Sequence, residues 1–410
     1  MSETRERNSN GSLWHRSFLF LVGSRAASTL AFQIQAVAVG WQIYALTHST
    51  FQLGMVGLAQ FLPMVLLNLV VGHVADHYNR RNIVATCQIA ECGCAAFLAT
   101  GSFGGWLTAP MMYGAIFVLG AARAFEGPSM QALTPGLVEK NQLPQAMAMM
   151  SSFFQTAAIV GPALGGFLYA LGPTACYAST STLFLIAGLA TSSIRMEYTV
   201  PRREPPTMKS IFLGINFIRS RPAVLGAISL DLFAVLLGGA TALLPVFARE
   251  ILHTGPWGLG LLRASPALGA LMMSVTLAHR PLPGRAGKAM FGAVMAFGAA
   301  TVVFAVSHWI PLSMLALFVL GASDVVSVVI RQSLVQLETP DEMRGRVSAV
   351  NSLFIGTSNQ LGEFESGVTA AWWGTVPATV LGGVGSIVVA GLWMFLFPDL
   401  RKLDKLRARE

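Results

Sequence analysis

Apolar stretches of about twenty residues recur from one end of this chain to the other, and each is long enough to cross a ~30 Å hydrocarbon core. That core holds no water to satisfy backbone groups, so segments of this length must be helices. Only 11% of the 410 residues are charged, against roughly 25% in an ordinary soluble domain. So few charges cannot cover a soluble surface, and most of the chain must lie in lipid.

Apolar runs and the breakers between them predict spans near 17–46, 51–73, 82–103, 110–131, 145–169 and 174–194. The polar connector RMEYTVPRREPPTMKS follows. Six more spans are expected near 222–248, 256–278, 288–307, 310–332, 345–371 and 375–397. The expectation is an all-α integral membrane protein of twelve transmembrane helices in two pseudo-symmetric six-helix halves. Residues 1–195 form the first half, 196–221 a cytoplasmic connector, 222–397 the second half and 398–410 a basic cytoplasmic tail.

Basic residues orient the array. Alternate loops and termini hold 22 of the 27 Lys and Arg, from Arg5 to Arg409, whereas the opposite loops hold only Arg249. This asymmetry predicts that both termini are cytoplasmic. The net charge of +8 then reads as topology and contact with anionic lipid, and no basic face of a soluble domain is left for nucleic acid. Cys87, Cys92, Cys94 and Cys176 all lie in apolar runs, so buried thiols are expected, with neither disulfides nor a metal site. The polar start MSETRERNSNGSLWH argues against a cleaved signal peptide.

The two halves echo each other at one constant offset of 201 positions. Gly54 matches Gly255, Gly57 matches Gly258 and Leu58 matches Leu259; Gln131 matches Gln332, Ser151 Ser352, Phe153 Phe354, Gly161 Gly362 and Gly166 Gly367. An offset near half the chain length points to a duplicated six-helix unit, the architecture with which many secondary transporters build two rocking halves.

Between spans 2 and 3 the chain reads GHVADHYNRR, from Gly72 to Arg81. Gly72 permits close helix approach. Asp76 can accept from a neighbouring helix N-terminus or an arginine, and Arg80 and Arg81 hold the loop inside. The same residues also suit a plain short loop. A degenerate echo, Arg285-Ala286-Gly287-Lys288, lies between spans 8 and 9 without the Asp and favours a latch between halves. This stretch resembles the cytoplasmic-loop signature of the major facilitator superfamily, with His77 where Arg is common and Asn79 where Gly is common. In span 5, Gly161-Pro162-Ala163-Leu164-Gly165-Gly166 resembles the motif of exporting members. Physically it is a small-xxx-small packing face with a proline that permits a bend, and that description carries no direction of transport.

Two longer stretches are more specific: the run from Ala122 through VGPALGG, and TPDEMRGRVSAVNSLFIGTSNQLGEFESG from Thr339. They resemble the branch that contains siderophore exporters, the enterobactin exporter among them, and macrolide efflux proteins. The resemblance covers the whole chain and implies a proton-driven exporter of the bacterial inner membrane. Its partners would be a small-molecule substrate, protons and lipid, with the chain acting as a monomer and no cofactor. It does not specify the substrate.

Ionisable groups inside spans are costly, at least ~2.5 kcal/mol each on insertion scales. This chain has Arg25, Glu91, Arg123, Glu126, Asp231, Arg263, Asp324, Arg331, Glu363 and Glu365. By fold analogy, spans 1, 4, 7 and 10 line the central cavity, which places Arg25, Arg123, Asp231 and Asp324 there. Arg123 and Glu126, three apart, share a helix face. Glu126, Asp231 and Asp324 are candidates for proton exchange, with Arg123 or Arg25 tuning them. The alternative is a set of structural ion pairs. Glu363 and Glu365 are candidates for gating or ion entry. Arg331 is expected to snorkel to the cytoplasmic interface, and Glu91 to be capped by a hydroxyl or neutral.

For substrate contact the candidates are Gln33, Gln35, Trp41 and Gln42 in span 1, Phe153, Phe154 and Gln155 in span 5, and Asn351, Asn359 and Gln360 in span 11. Trp372 and Trp373 suit the interfacial belt. An enzyme would need a reactive constellation, yet no GxxxxGK[ST] loop is present. A sensor would need an output domain larger than the tail PDLRKLDKLRARE. Transport is the expectation, by export, by uptake or as a lipid flippase.

Overall fold

The computed structural model describes residues 15–139, 141–195, 208–280 and 284–403. Within them the chain is helical throughout. The first half comprises span 1 (Arg16–Thr47), span 2 (Thr50–His77), span 3 (Arg80–Gly104), span 4 (Ala109–Leu137), span 5 (Leu143–Ala170) and span 6 (Pro173–Ser192). The second comprises span 7 (from Pro222), span 8 (Pro256–His279), span 9 (Ala286–Val306), span 10 (Ile310–Glu338), span 11 (Asp341–Trp373) and span 12 (Thr375–Leu396). Ten of these are long and apolar enough to cross a membrane by composition. Spans 4 and 11, at 29 and 33 residues, have the length but carry more polar side chains. A further helix, Met208–Ser220, lies in the connector.

Several ends follow from local chemistry. Asn79 caps span 3, its Oδ1 accepting from the Arg81 amide at 3.0 Å, as short polar side chains do at helix starts. Tight returns at Gly172 and Gly374 have φ of +111° and +89°, values that suit glycine.

Span 7 departs from the continuous helix expected over 222–248. The helix stops at Leu237, passes Gly238-Gly239 and continues as a 3-10 turn (Ala240–Leu243), a short α turn and a π turn (Phe247–Ile251). Two successive glycines and Pro245 remove the restraints and one of the donors that keep a helix regular. The broken stretch supplies Thr241, Ala242 and Pro245 to the central cavity. Irregular backbone at membrane depth is tolerated where it lines such a cavity.

The halves meet along two seams, span 2 against span 11 and span 5 against span 8. Both seams are backbone on backbone. A Cβ added at Gly54 would stand 2.9 Å from Gly367 Cα, and one at Gly166 would stand 2.5 Å from the Pro256 carbonyl. Gly54 and Pro256 begin spans 2 and 8, while Gly166 and Gly367 lie near the ends of spans 5 and 11. Both crossings therefore sit at the end of the bundle opposite the basic loops. Phe51 and Phe364 meet edge to face across the first seam at 6.5 Å. At the basic end the halves part.

Candidate functional site

Three neighbouring cavities lie along the inner faces of the halves. The basic end opens into one of about 720 Å³, lined by spans 1, 4, 5, 10 and 11. Its walls are built from residues 201 apart: Gln131 faces it with Gln332, Ser151 with Ser352, Met150 with Asn351 and Phe154 with Ile355. The duplication read from the sequence is thus a pseudo-twofold axis through this space. Deeper lies a cavity of about 480 Å³, mostly apolar, with Gln33, Gln35, Gln60, Arg123, Arg263, Gln360 and Glu363 as its polar lining. A chamber of about 190 Å³ joins the two, sharing Arg25 and Phe154 with the first and Arg123 with the second.

Two ionic clusters flank this path. In the first half Arg123 Nη1 donates to Glu126 Oε2 at 2.6 Å and to Ser28 Oγ at 3.2 Å, and its guanidinium lies 4.1 Å from the Phe32 ring centroid. Glu126 Oε1 accepts from Ser28 at 2.7 Å and from Gln88 Nε2 at 2.9 Å. Gln88 Oε1 accepts from Thr191 at 2.8 Å, and Ser24 bonds to both. Spans 1, 3, 4 and 6 are tied together by this network. Glu91 stands beside it, 3.9 Å from Arg123 Nε. In the second half Arg331 bridges Asp231, at 3.1 Å, and the side-chain Oδ1 of Asn351, at 3.0 Å. Asp231 and Asp324 line a small recess with span 9, walled by Ala293, Val294 and Phe297.

The expected sites divide accordingly. Arg123 and Glu126 come together. Arg25 faces the chamber and stacks over Phe154 at 5.8 Å. Asp231 and Asp324 do not line the central cavity, to which span 10 adds nothing; they face inward within their own half, and the cation beside Asp231 is Arg331 rather than Arg123 or Arg25. Arg331 does not snorkel, being 2% exposed. Its helix runs on to Glu338, so a position that looked terminal is internal. Glu363 lines the central cavity, and a Cβ on Gly57 of span 2 would stand 2.8 Å from its own Cβ; Glu365 is two residues on and lines none of the three.

Gln33, Gln35 and Gln360 line the central cavity, Phe154 and Asn351 the basic-end cavity. Gln42 bonds instead to Ser102, at 3.1 Å. Trp41 packs into the core beside Tyr169, and Phe153, Gln155 and Asn359 line none of the three cavities. Arg81 donates to the Ile194 carbonyl at 3.0 Å, pinning the loop to the end of span 6, and Arg80 reaches the Ala132 carbonyl at 3.5 Å. Both tie the loop to its own half. The surroundings of Gly72 and Asp76 lie outside the described residues. In span 5, Gly161 and Gly165 pack on Gln33 and Ile34 of span 1, while Gly166 meets span 8. The four cysteines are unpaired.

Ser24, Ser28, Gln88 and Thr191 were not singled out from sequence. Gln88 and Glu91, three apart in an apolar span, were the available signal.

Twelve helices in two related halves around a polar-lined axial path define a secondary transporter rather than an enzyme. A family model described as transmembrane secretion effector matches residues 11–409, and the chain belongs to that family of major facilitator transporters. It is 28% identical over 407 residues to the enterobactin exporter EntS of Citrobacter koseri, covering 95% of this chain and 93% of the relative. The EntS of Escherichia coli O1:K1 / APEC is 26% identical over the same shares. Among solved structures, a bacterial homolog of the human lysosomal transporter Spinster, inward-facing and unoccupied, superposes with a TM-score of 0.74 at 13% identity, covering 95% of this chain and 99% of that one. A mutant of the nucleoside transporter NupG gives 0.73 at 15% identity, covering 93% and 100%.

Proposed function

We propose that this protein exports an amphipathic small molecule, of siderophore or drug type, across the bacterial inner membrane in exchange for protons. Both termini are cytoplasmic in this reading, which makes the basic end the loading side. The observation that carries it is the axial path: wide at the basic end, sealed at the other by glycine crossings, with buried ionic clusters beside it. Such a path alternates its access when the halves rock. The named activity of the EntS relatives supports the substrate type.

The central cavity suits a ligand with a large apolar surface and a few polar groups. Gln35 is 3% exposed, and among the described residues neither its Nε2 nor its Oε1 has a partner. A buried amide left without partners is costly, and a ligand in the cavity would supply them. Gln33 and Gln360 line the same space. The proton passes through a buried carboxylate of one of the two clusters, Glu126 in the first half or Asp231 and Asp324 in the second being the candidates already in view.

The test uses everted membrane vesicles with an acidified lumen and a quenching dye that reports lumenal pH. Catecholate siderophores, macrolides and cationic dyes are added in turn. Proton release evoked by one class establishes exchange and names the ligand type. Movement of compound down its own gradient without proton release would replace this reading with a uniporter or importer.

A further inference from the structure

Glu91, midway along span 3, is a carboxylate that the reading above does not use. Its side chain is 0% exposed, it faces the carboxyl of Glu126, and among the described residues neither of its oxygens is satisfied by a donor. The nearest cation is Arg123, whose Nε stands at 3.9 Å while its Nη1 is committed to Glu126 at 2.6 Å. Gln88, one turn earlier on the same helix, spends its amide on Glu126, Ser24 and Thr191. Glu126 is therefore fully served and Glu91 is not, although both lie beside one guanidinium. A buried ionised carboxylate with no hydrogen-bond donor is among the costliest groups a protein can hold, whereas the neutral acid is tolerated.

We infer that Glu91 is the group that carries the coupled proton, and that Arg123 passes its protonation state to the wall of the central cavity. The inference rests on the exchange reading above and places its proton on Glu91 in place of Glu126, Asp231 or Asp324. Spans 4 and 6 pack most extensively on span 3, and span 1 reaches it through Ser24 and Ala31. Span 4 brings Arg123 and Glu126; span 6 brings Cys176 and Tyr177, which sit in a separate apolar cluster. Cys87, Cys92 and Cys94 share the helix of Glu91, and Arg25 faces the chamber beyond Arg123 and Glu126.

With Glu91 neutral, Arg123 and Glu126 form a balanced pair. When the O–H bond breaks, the proton passes to solvent water by way of the chamber beside Arg123 and Glu126, the electron pair stays on Glu91, and the cluster carries one net negative charge. Arg123, 27% exposed and lining both the chamber and the central cavity, is then drawn back between two carboxylates. A cationic or donor-rich ligand in the cavity gains by that change and loses when the proton returns. Ligand and proton thus exclude one another, which is the linkage an exchanger requires.

Two measurements decide it. Infrared spectra of the purified full chain, taken across a pH titration, should contain the carbonyl band of a carboxylic acid free of hydrogen bonds. Glu91→Gln should remove that band, Glu91→Asp should shift it, and Asp324→Asn should leave it. In everted vesicles, with whichever compound evokes proton release from the wild type, Glu91→Gln should lose gradient-driven transport by about tenfold or more. One-for-one exchange of labelled for unlabelled compound, which moves no net proton, should persist at saturating compound but lose its dependence on pH, with half-saturation raised because Gln mimics the neutral acid. A band that survives Glu91→Gln overturns the inference, as does full gradient-driven transport by that variant. Wild-type vesicles that release no proton with any compound overturn the exchange reading instead, while the infrared result still decides whether Glu91 holds a proton.

Discussion

The two halves repeat each other in backbone and differ in chemistry. Residues 201 apart face each other across the basic-end cavity, yet the arginines at the heart of the two ionic clusters are not repeats of one another: Arg123 corresponds to Asp324, and Arg331 to Met130. Arg123 is 27% exposed and reaches the cavity wall, with two carboxylates behind it. Arg331 is sealed, paired with Asp231 and Asn351. A cation at a cavity wall can answer a ligand, whereas a sealed one can only hold helices together. On the proposed exchange reading, the difference puts the responsive part of the cycle in the first half and leaves Arg331 as the structural tie of the second.

The sharpest way to break this contrast is to remove the sealed cation. Arg331→Met leaves Asp231 buried without its partner and should destabilise the fold by about 3–5 kcal/mol, seen as a lowered melting temperature of the purified protein. Adding Asp231→Leu should recover most of the loss. If Arg331→Met melts like the wild type, the second cluster is not a strut. Arg123→Gln should weaken the fold less, by about 1–3 kcal/mol, and abolish gradient-driven transport. Equal thermal losses for the two arginines would erase the distinction between them.

A third test moves from the clusters to the seams. Gly166→Leu forces a side chain into the Pro256 carbonyl and the Gly260 backbone, and overpacking of this kind costs about 1–3 kcal/mol. It should hold the sealed end ajar, so a cysteine at position 360 becomes reactive to an impermeant thiol reagent from that side. Unchanged labelling would show that the crossing is not the gate. The smallest effect is expected at Gln35. Gln35→Ala should weaken ligand affinity by about 1–2 kcal/mol, a factor of about 5–30, with melting unchanged. Gln155→Ala and Asn359→Ala should fall within about ±0.5 kcal/mol of wild type.

The fold was legible because spans of this length leave the backbone few options, and the 201-residue offset exposed the duplication without any side-chain detail. The site was legible only in part. Arg123 and Glu126 declared themselves by spacing along one helix. Asp231 and Arg331, a hundred positions apart on different helices, have no such local signal. Arg331 was misread because helix 10 runs six residues past its expected end. The break in span 7 was carried by Gly238, Gly239 and Pro245 in plain view, but an apolar composition outweighed them. Glu91 looked like one more intramembrane charge, and only the full set of bonds around Gln88 and Glu126 shows that it is the one left out.

The glycine crossings have a consequence for how such a transporter diversifies. Main chain touches main chain at Gly54 with Gly367 and at Gly166 with Gly260, so the surfaces that roll on each other contain almost no side-chain identity. Much of the polar cavity lining lies elsewhere, on Gln33, Gln35 and Gln60. Changes that alter what is carried therefore need not disturb the bearing on which the halves turn, and a lineage can change its cargo while keeping its machinery.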